Sequence, residues 1–513
     1  MVLFIYACGE QQKVSDIIPA KPKTEKDTKT ALGRKLQNLY KVSLMTQAYQ
    51  NVRAQTTGLP TLNIRTTHYY VKFMPADSTQ LDVLEADTTL RLYEYPLDYE
   101  LPTEESVEYR EAAIPVRKPT WQYTTVPANY SFPQNISYQI IDPLYIPELD
   151  LQIGDGKKIN PTYDVVVDSL ESQAFRLTGN KLDNTNAKRR QKWNPSGRIR
   201  VEDNTMGDTD LRLIPVHGCK VRARRWFNIQ EVITNLQGFF YIDHEFRRDV
   251  NYAIFWERND YDIRSGNLGQ AWLNGPKMTA VWNMDIRSQK QGFYATIHRA
   301  ACDYYYHNPF GINTPPEQKW YRSKIKIGAH DKDNDDSNGD FAKWRNWLTW
   351  PHIRIYNPTR PKHQIYGTTS HELAHASHWE LSTISDFVQA DDDVVESWAR
   401  GVQWMFTNNK YNALGFTPFN HFQGWQDLTS LNELMLRGYT PVAIDLIDNR
   451  NQRAENNGST LYANDRVTGF TLLEVENALR GSRTLEVWRD KLRLLNRVPQ
   501  RDLDELFQFY IDL

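Results

Sequence analysis

The stretch Thr368-Thr369-Ser370-His371-Glu372-Leu373-Ala374-His375-Ala376-Ser377-His378-Trp379 holds the pattern His-Glu-x-x-His. On a helix, residues four apart share a face, so His371 and His375 can aim two imidazoles at one point. Two neutral imidazoles suit a zinc ion, which then needs a third ligand from elsewhere in the chain. Glu372 follows the first histidine directly and could take a proton from a water activated by that metal, which is general-base work. A plainer reading stays open. Thr369-x-x-Glu372 is also a capping box, in which the carboxylate only satisfies a helix end. Capping would account for the glutamate and leave the histidine spacing unexplained.

The third ligand has several candidates. His378 lies on the same helix, too far along the face to close a tetrahedral site easily. A later helix start, Val394-Val395-Glu396-Ser397-Trp398-Ala399, carries Glu396, 21 positions after His375. Asp391, Asp392 and Asp393 just before it are rivals. The metzincin continuation is absent, because His378 stands at its glycine place and Leu381 at its third histidine. The two helices resemble the glutamate-type zincin metallopeptidases (gluzincins), which take a glutamate from a following helix at about this spacing. That resemblance implies a zincin catalytic domain, zinc as cofactor, His371, His375 and Glu396 as ligands, and Glu372 as base. Such a ligand set leaves one open position on the ion for water. The resemblance also implies a downstream donor that stabilises the transition state. Tyr439 and His421 are the candidates, each against a packing role. The alternating run His352-Ile353-Arg354-Ile355-Tyr356 is expected to pair edge-on with an extended peptide.

These residues need elements to position them. Ser288 to Tyr306 reads as a helix, with Phe293, Ile297 and Ala301 four apart. Pro358 and Pro361 break the chain before the histidine helix, and a second amphipathic helix follows Asp393. Thr471-x-x-Glu474 is a capping box for a helix over 472–479, with Gly481 placed to end it. Residues 489–495 and 503–510 also read as helical. Residues 263–513 are therefore expected to be the α+β metallopeptidase domain with a mostly helical C-terminal lobe.

Upstream the signals favour strands. The order Gly218-x-x-Val221, then Thr234-x-x-x-Gly238-x-Phe240, then an alternating run over 251–256, resembles the transthyretin-like β-sandwich appended to carboxypeptidases. This sets a small sandwich at 208–262. Residues 36–207 read as a β-rich N-terminal region, with strands at 68–73 and 89–95, frequent prolines, and one plausible helix over 36–52. The fold class is thus multidomain α+β.

The chain has 513 residues, with Lys+Arg 61 against Asp+Glu 63, so no basic excess points to nucleic acid. Three cysteines exclude a disulfide framework. Cys219 and Cys302 could pair in an oxidising compartment, and buried thiols are the plainer expectation. The start, Met1-Val2-Leu3-Phe4-Ile5-Tyr6-Ala7-Cys8, resembles the end of a bacterial lipoprotein signal, with Cys8 as the lipidated residue. Residues 1–8 are then a signal remnant and Lys-rich 9–35 a flexible tether. The expected location is the bacterial outer membrane or cell surface, held by the lipid alone. The acidic run 331–340 has Asp at alternate positions, which fits either calcium or a solvated loop. The expected function is zinc-dependent hydrolysis of peptide bonds in a protein, peptide or glycoprotein substrate. The rivals are a glycan- or protein-binding surface lipoprotein on the same scaffold and a non-proteolytic zinc hydrolase.

Overall fold

The computed structural model describes residues 6–7, 32–101, 109, 111, 113–115, 118–154, 158–180, 192–207, 209–267, 269–315, 324–334, 337–342, 351–382, 384–416 and 439–512. Cys8 and His421 lie outside them. The described residues form a mixed α+β molecule with twelve helices and four sheets.

After β1 (Tyr6–Ala7), the N-terminal region contains α1 (Val42–Gln55), β2 (His68–Met74), α2 (Ser78–Ala86), β3 (Gln122–Pro127), β4 (Ser137–Leu144) and α3 (Asp164–Thr178). A three-stranded sheet runs β3-β2-β4. This region is less strand-rich than expected, because α2 and α3 both fold as helices. α3 is amphipathic: Val166, Val167, Leu170, Ala174 and Phe175 are buried on one side, and Gly179 ends the helix with φ 64°. α1 starts at Val42 rather than Leu36. The run 89–95 is no strand. It makes one isolated bridge, Tyr93 to Tyr123. Its alternating aromatics are inward packing: Tyr93 lies 5.4 Å from Phe255 and Tyr95 5.1 Å from Trp272, ring to ring.

Ten strands follow from Ser196 to Ile286. They are β5 (Ser196–Asp203), β6 (Arg212–Pro215), β7 (Lys220–Arg225), β8 (Asn228–Ile233), β9 (Phe239–Tyr241), β10 (Val250–Phe255), β11 (Tyr261–Ser265), β12 (Gly269–Gln270), β13 (Trp272–Met278) and β14 (Trp282–Ile286). One four-stranded sheet runs β13-β10-β7-β8, and another runs β14-β5-β6 with β9 also on β5. The paired strands therefore extend on both sides of 208–262. β5 alternates strictly, burying Ile199 and Val201 while Arg198 and Arg200 point outward.

The remaining elements frame the histidine motif. They are α4 (Gln289–Cys302), β15 (Ile325–Ala329), β16 (Gly339–Phe341), β17 (Ile353–Ile355), α5 (Lys362–Leu381), α6 (Ile384–Val388), α7 (Asp392–Ala413), α8 (Val442–Asp445), α9 (Gln452–Glu455), α10 (Leu472–Leu479), α11 (Leu485–Arg493) and α12 (Gln500–Ile511). A six-stranded sheet runs β1-β16-β17-β15-β11-β12, with β11, β15 and β17 parallel and β16 antiparallel to β17. α4 and α5 pack against it and each other, and one continuous apolar cluster extends from Ile199 to Tyr510. Arg264 of β11 reaches Glu85 of α2 at 2.8 Å, a buried tie between the N-terminal region and this sheet. Thr471 and Glu474 make the reciprocal capping box of α10. No helix among the described residues is long and apolar enough to cross a membrane.

Candidate metal centre

α5 and α7 carry the candidate ligands, and small residues let them approach. A Cβ on Gly367 would stand 3.0 Å from Thr407 Oγ1 and 3.1 Å from Gln403 Nε2, so a larger residue would crowd the α7 side chains that lie against α5. On its other side α7 packs against α8, where a Cβ on Gly401 would lie 2.7 Å from Ala443 Cβ. The crossing brings His371, His375 and Glu396 together, with one ligand atom from each within 4.8 Å of the others. His371 Nε2 is 3.1 Å from Glu396 Oε2, His375 Nε2 is 3.5 Å from Glu396 Oε1, and the two Nε2 atoms are 3.1 Å apart. All three residues are buried.

This donor set fits a cation. His371 Nδ1 lies 3.1 Å from Gln403 Oε1. An amide oxygen only accepts, so Nδ1 carries the proton and Nε2 presents a lone pair. That lone pair faces a carboxylate oxygen and a second imidazole nitrogen. A proton on His375 Nε2 can satisfy only one neighbour, whereas a metal ion satisfies all three. The ionisation tendencies agree. Burial pushes His375 down, and Glu396 more than reverses this, so its pKa is raised. Burial pushes Glu396 up, and the two imidazoles, His375 foremost, hold it well below the usual carboxylate range. Burial lowers His371. The trio thus favours one positive charge in its midst.

Glu372, the next residue of α5 after His371, is fully buried. A Cβ on Gly339 of β16 would stand 2.8 Å from Glu372 Oε1 and 2.8 Å from Thr368 Cγ2, so the glutamate lies directly against this strand. The helix-end reading of Glu372 does not hold. α5 begins at Lys362, with Pro361 as its N-cap, and Thr369 is interior, its hydroxyl bonded back to Ile365 O at 2.8 Å. The edge-strand expectation is corrected too. β17 lies between β15 and β16, with both ladders filled, and β16 presents the outer ladder. On that outer ladder β1 pairs antiparallel, Tyr6 with Phe341 and Ala7 with Asp340.

The other candidates separate clearly. His378 packs on Phe387, ring centroids 5.0 Å apart, and burial lowers its pKa to about 3. Asp391 is the N-cap of α7, and Asp392 and Asp393 form its first turn. Tyr439 is near the centre. Its ring lies 6.4 Å from His371 and nearly parallel to it, and Thr440 bonds Ser397, next to Glu396, at 2.6 Å. In the acidic run, residues 335–336 are outside the described set, and Gly339 and Asp340 belong to β16. Cys219 and Cys302 are both buried and unbridged.

Two contributors escaped the sequence reading. Gln403 sits two turns after Glu396 on the same face of α7, a spacing visible in the sequence once that helix is set. Gly339 shows its role only through a contact between elements. Comparison with protein-family models gives no match for this chain, and comparison with curated proteins gives none either.

Proposed function

We propose that the chain is a zinc-dependent peptidase of the glutamate-zincin type. The observation that carries this reading is the convergence of His371, His375 and Glu396 from two helices, with Glu372 one residue along α5 and against β16. Two imidazoles and a carboxylate are a catalytic zinc donor set. Zinc, when bound, supplies a water of lowered pKa and polarises the scissile carbonyl. Glu372 would take up the proton of the attacking water and pass it to the leaving amine. Gln403 keeps His371 in the tautomer whose Nε2 is the ligand. Tyr439 donates to the oxyanion. An extended peptide would take the place that β1 holds on the outer ladder of β16, antiparallel to that strand.

In this reading the strands over 208–262 belong to a transthyretin-like accessory sandwich, the N-terminal region positions polymeric substrate, and lipid on Cys8 tethers the protein at the bacterial surface. Calcium in the acidic run 331–340 would be structural.

The test pairs metal analysis with digestion of casein and mucin. The wild-type chain should hold one zinc at this centre and cleave, and chelation should abolish cleavage. Glu372→Gln should keep that zinc and lose at least about a hundredfold in rate. Full cleavage by Glu372→Gln, or no zinc at neutral pH, would reject the reading. Capture of a glycan or protein unaffected by chelator, without cleavage, would favour the binding lipoprotein instead.

A further inference from the structure

At the end of α4 the chain makes one turn of π-helix, Asp303–His307. Such turns are rare and concentrate at functional sites. A π-turn bonds residues five apart, so His307 comes round over Cys302, the last residue of α4. Ordinary turning at about 3.6 residues per turn would carry it to a different face. The same turn sets Asp303 Oδ1 2.8 Å from His217 Nε2. The rings of His217 and His307 are 5.0 Å apart. One ligand atom each from His217, Cys302 and His307 lies within 4.8 Å of the others.

Two neighbours shape this cluster. Gly218 has φ +71°, and a Cβ there would stand 2.3 Å from Cys302 Sγ, so only glycine lets the thiol occupy its place beside His217. Asp303 holds Nε2 of His217 and leaves Nδ1 with the lone pair. A carboxylate behind an imidazole is the usual device for orienting a metal-ligating histidine.

We propose that His217, Cys302 and His307 form a second metal site, sharing no residue with the His371 centre, that takes one monovalent copper ion. The donor set and the surrounding charge choose the ion. Two imidazoles and one thiolate form a trigonal set that copper favours. Arg258 Nη1 lies 4.0 Å from Cys302 Sγ, and Lys410 Nζ lies 2.8 Å from Asp303 Oδ2. Asp303 offsets Lys410, so a divalent ion on one thiolate would leave a net positive charge beside Arg258. Cu(I) on one thiolate leaves none. As the copper–sulfur bond forms, the thiol proton passes to solvent. His307 is exposed and provides the way in, while His217 and Cys302 are buried.

The full chain, stripped of metal and reloaded with zinc, would be titrated anaerobically with Cu(I) against a coloured Cu(I) chelator. The wild type should retain one Cu(I). His307→Ala, a surface change that leaves the core intact, and Cys302→Ser should each weaken it at least tenfold. His371→Ala should retain it, which separates this site from the peptidase centre. Equal copper affinity in His307→Ala and wild type would overturn the site. Displacement of the copper by equimolar zinc would overturn the choice of ion.

Discussion

Gln403 decides how His371 presents itself. Its amide oxygen accepts from Nδ1 at 3.1 Å, and Gly367 leaves room for its side chain to lie across α5. Outer partners of this kind typically contribute 10- to 100-fold to metal affinity. Gln403→Leu should therefore weaken zinc binding by about 10- to 100-fold, whereas Gln403→Glu, which can still accept, should hold zinc as well as wild type. Competition with a fluorescent zinc chelator measures both. Equal affinity in all three proteins would mean that packing alone holds the ring. The histidine pair was legible in the sequence because helical periodicity converts spacing into position, whereas Glu396, on another helix, stood out only through the resemblance to the glutamate-type zincins. The bland alternative for Glu372 was legible as well, and only the start of α5 at Lys362 removes it. Gln403 carries no such mark, because a glutamine on an amphipathic helix reads as surface until its neighbour is known.

At the scale of elements, the contact of β16 with α5 matters most for the proposed chemistry. The sequence pointed to residues 352–356 as the exposed strand, since their alternation is clean. Periodicity reports which faces are buried and says nothing of which strand lies outermost in a sheet. The short β16 emerges from an acidic run that looked like a loop. The helices α2 and α3 were missed for a related reason, since prolines around them signalled breaks without showing what lay between. Gly339 tests the β16–α5 contact. In Gly339→Ala, the added Cβ would meet the far end of Glu372 and the methyl of Thr368, both 2.8 Å away. A flexible carboxylate moves aside cheaply, so the fold and the zinc should survive. The proposed base would be misplaced, and a shift near 1 Å can cost about a hundredfold in rate. We expect Gly339→Ala to lower kcat by about 10- to 100-fold with unchanged zinc content. Unchanged kcat would show that Glu372 does not need the open face of β16.

At the scale of the whole molecule, the last helix closes the fold through buried acids. Tyr510 of α12 donates to Asp445 Oδ2 of α8, and Gln452 donates to Asp445 Oδ1 at 2.7 Å. Asp448 and Asp465 face the same group, with Arg400, Arg450 and Glu455 as the further charges around them. Burial first, then the neighbouring carboxylates, push Asp445 up to about 8, Asp465 to about 9 and Asp448 to about 6. None of this was visible in the sequence, where the three aspartates sit in ordinary turn-rich stretches. In the unfolded chain each would titrate near 3.9, as ordinary aspartates do. Between about pH 4 and these raised values the folded state holds protons that the unfolded state has lost. Stability from these groups is therefore full below about pH 4 and declines as pH rises through the folded values, by at most about 1.4 kcal/mol per pH unit for each group. The melting temperature should fall as pH goes from 6 to 9. Asp465→Asn removes one titrating member, so its melting temperature should fall less over the same range and exceed that of wild type at pH 9. Parallel pH dependence in the two proteins, measured by calorimetry in buffers of matched ionic strength, would show that Asp465 ionises without strain in the folded chain.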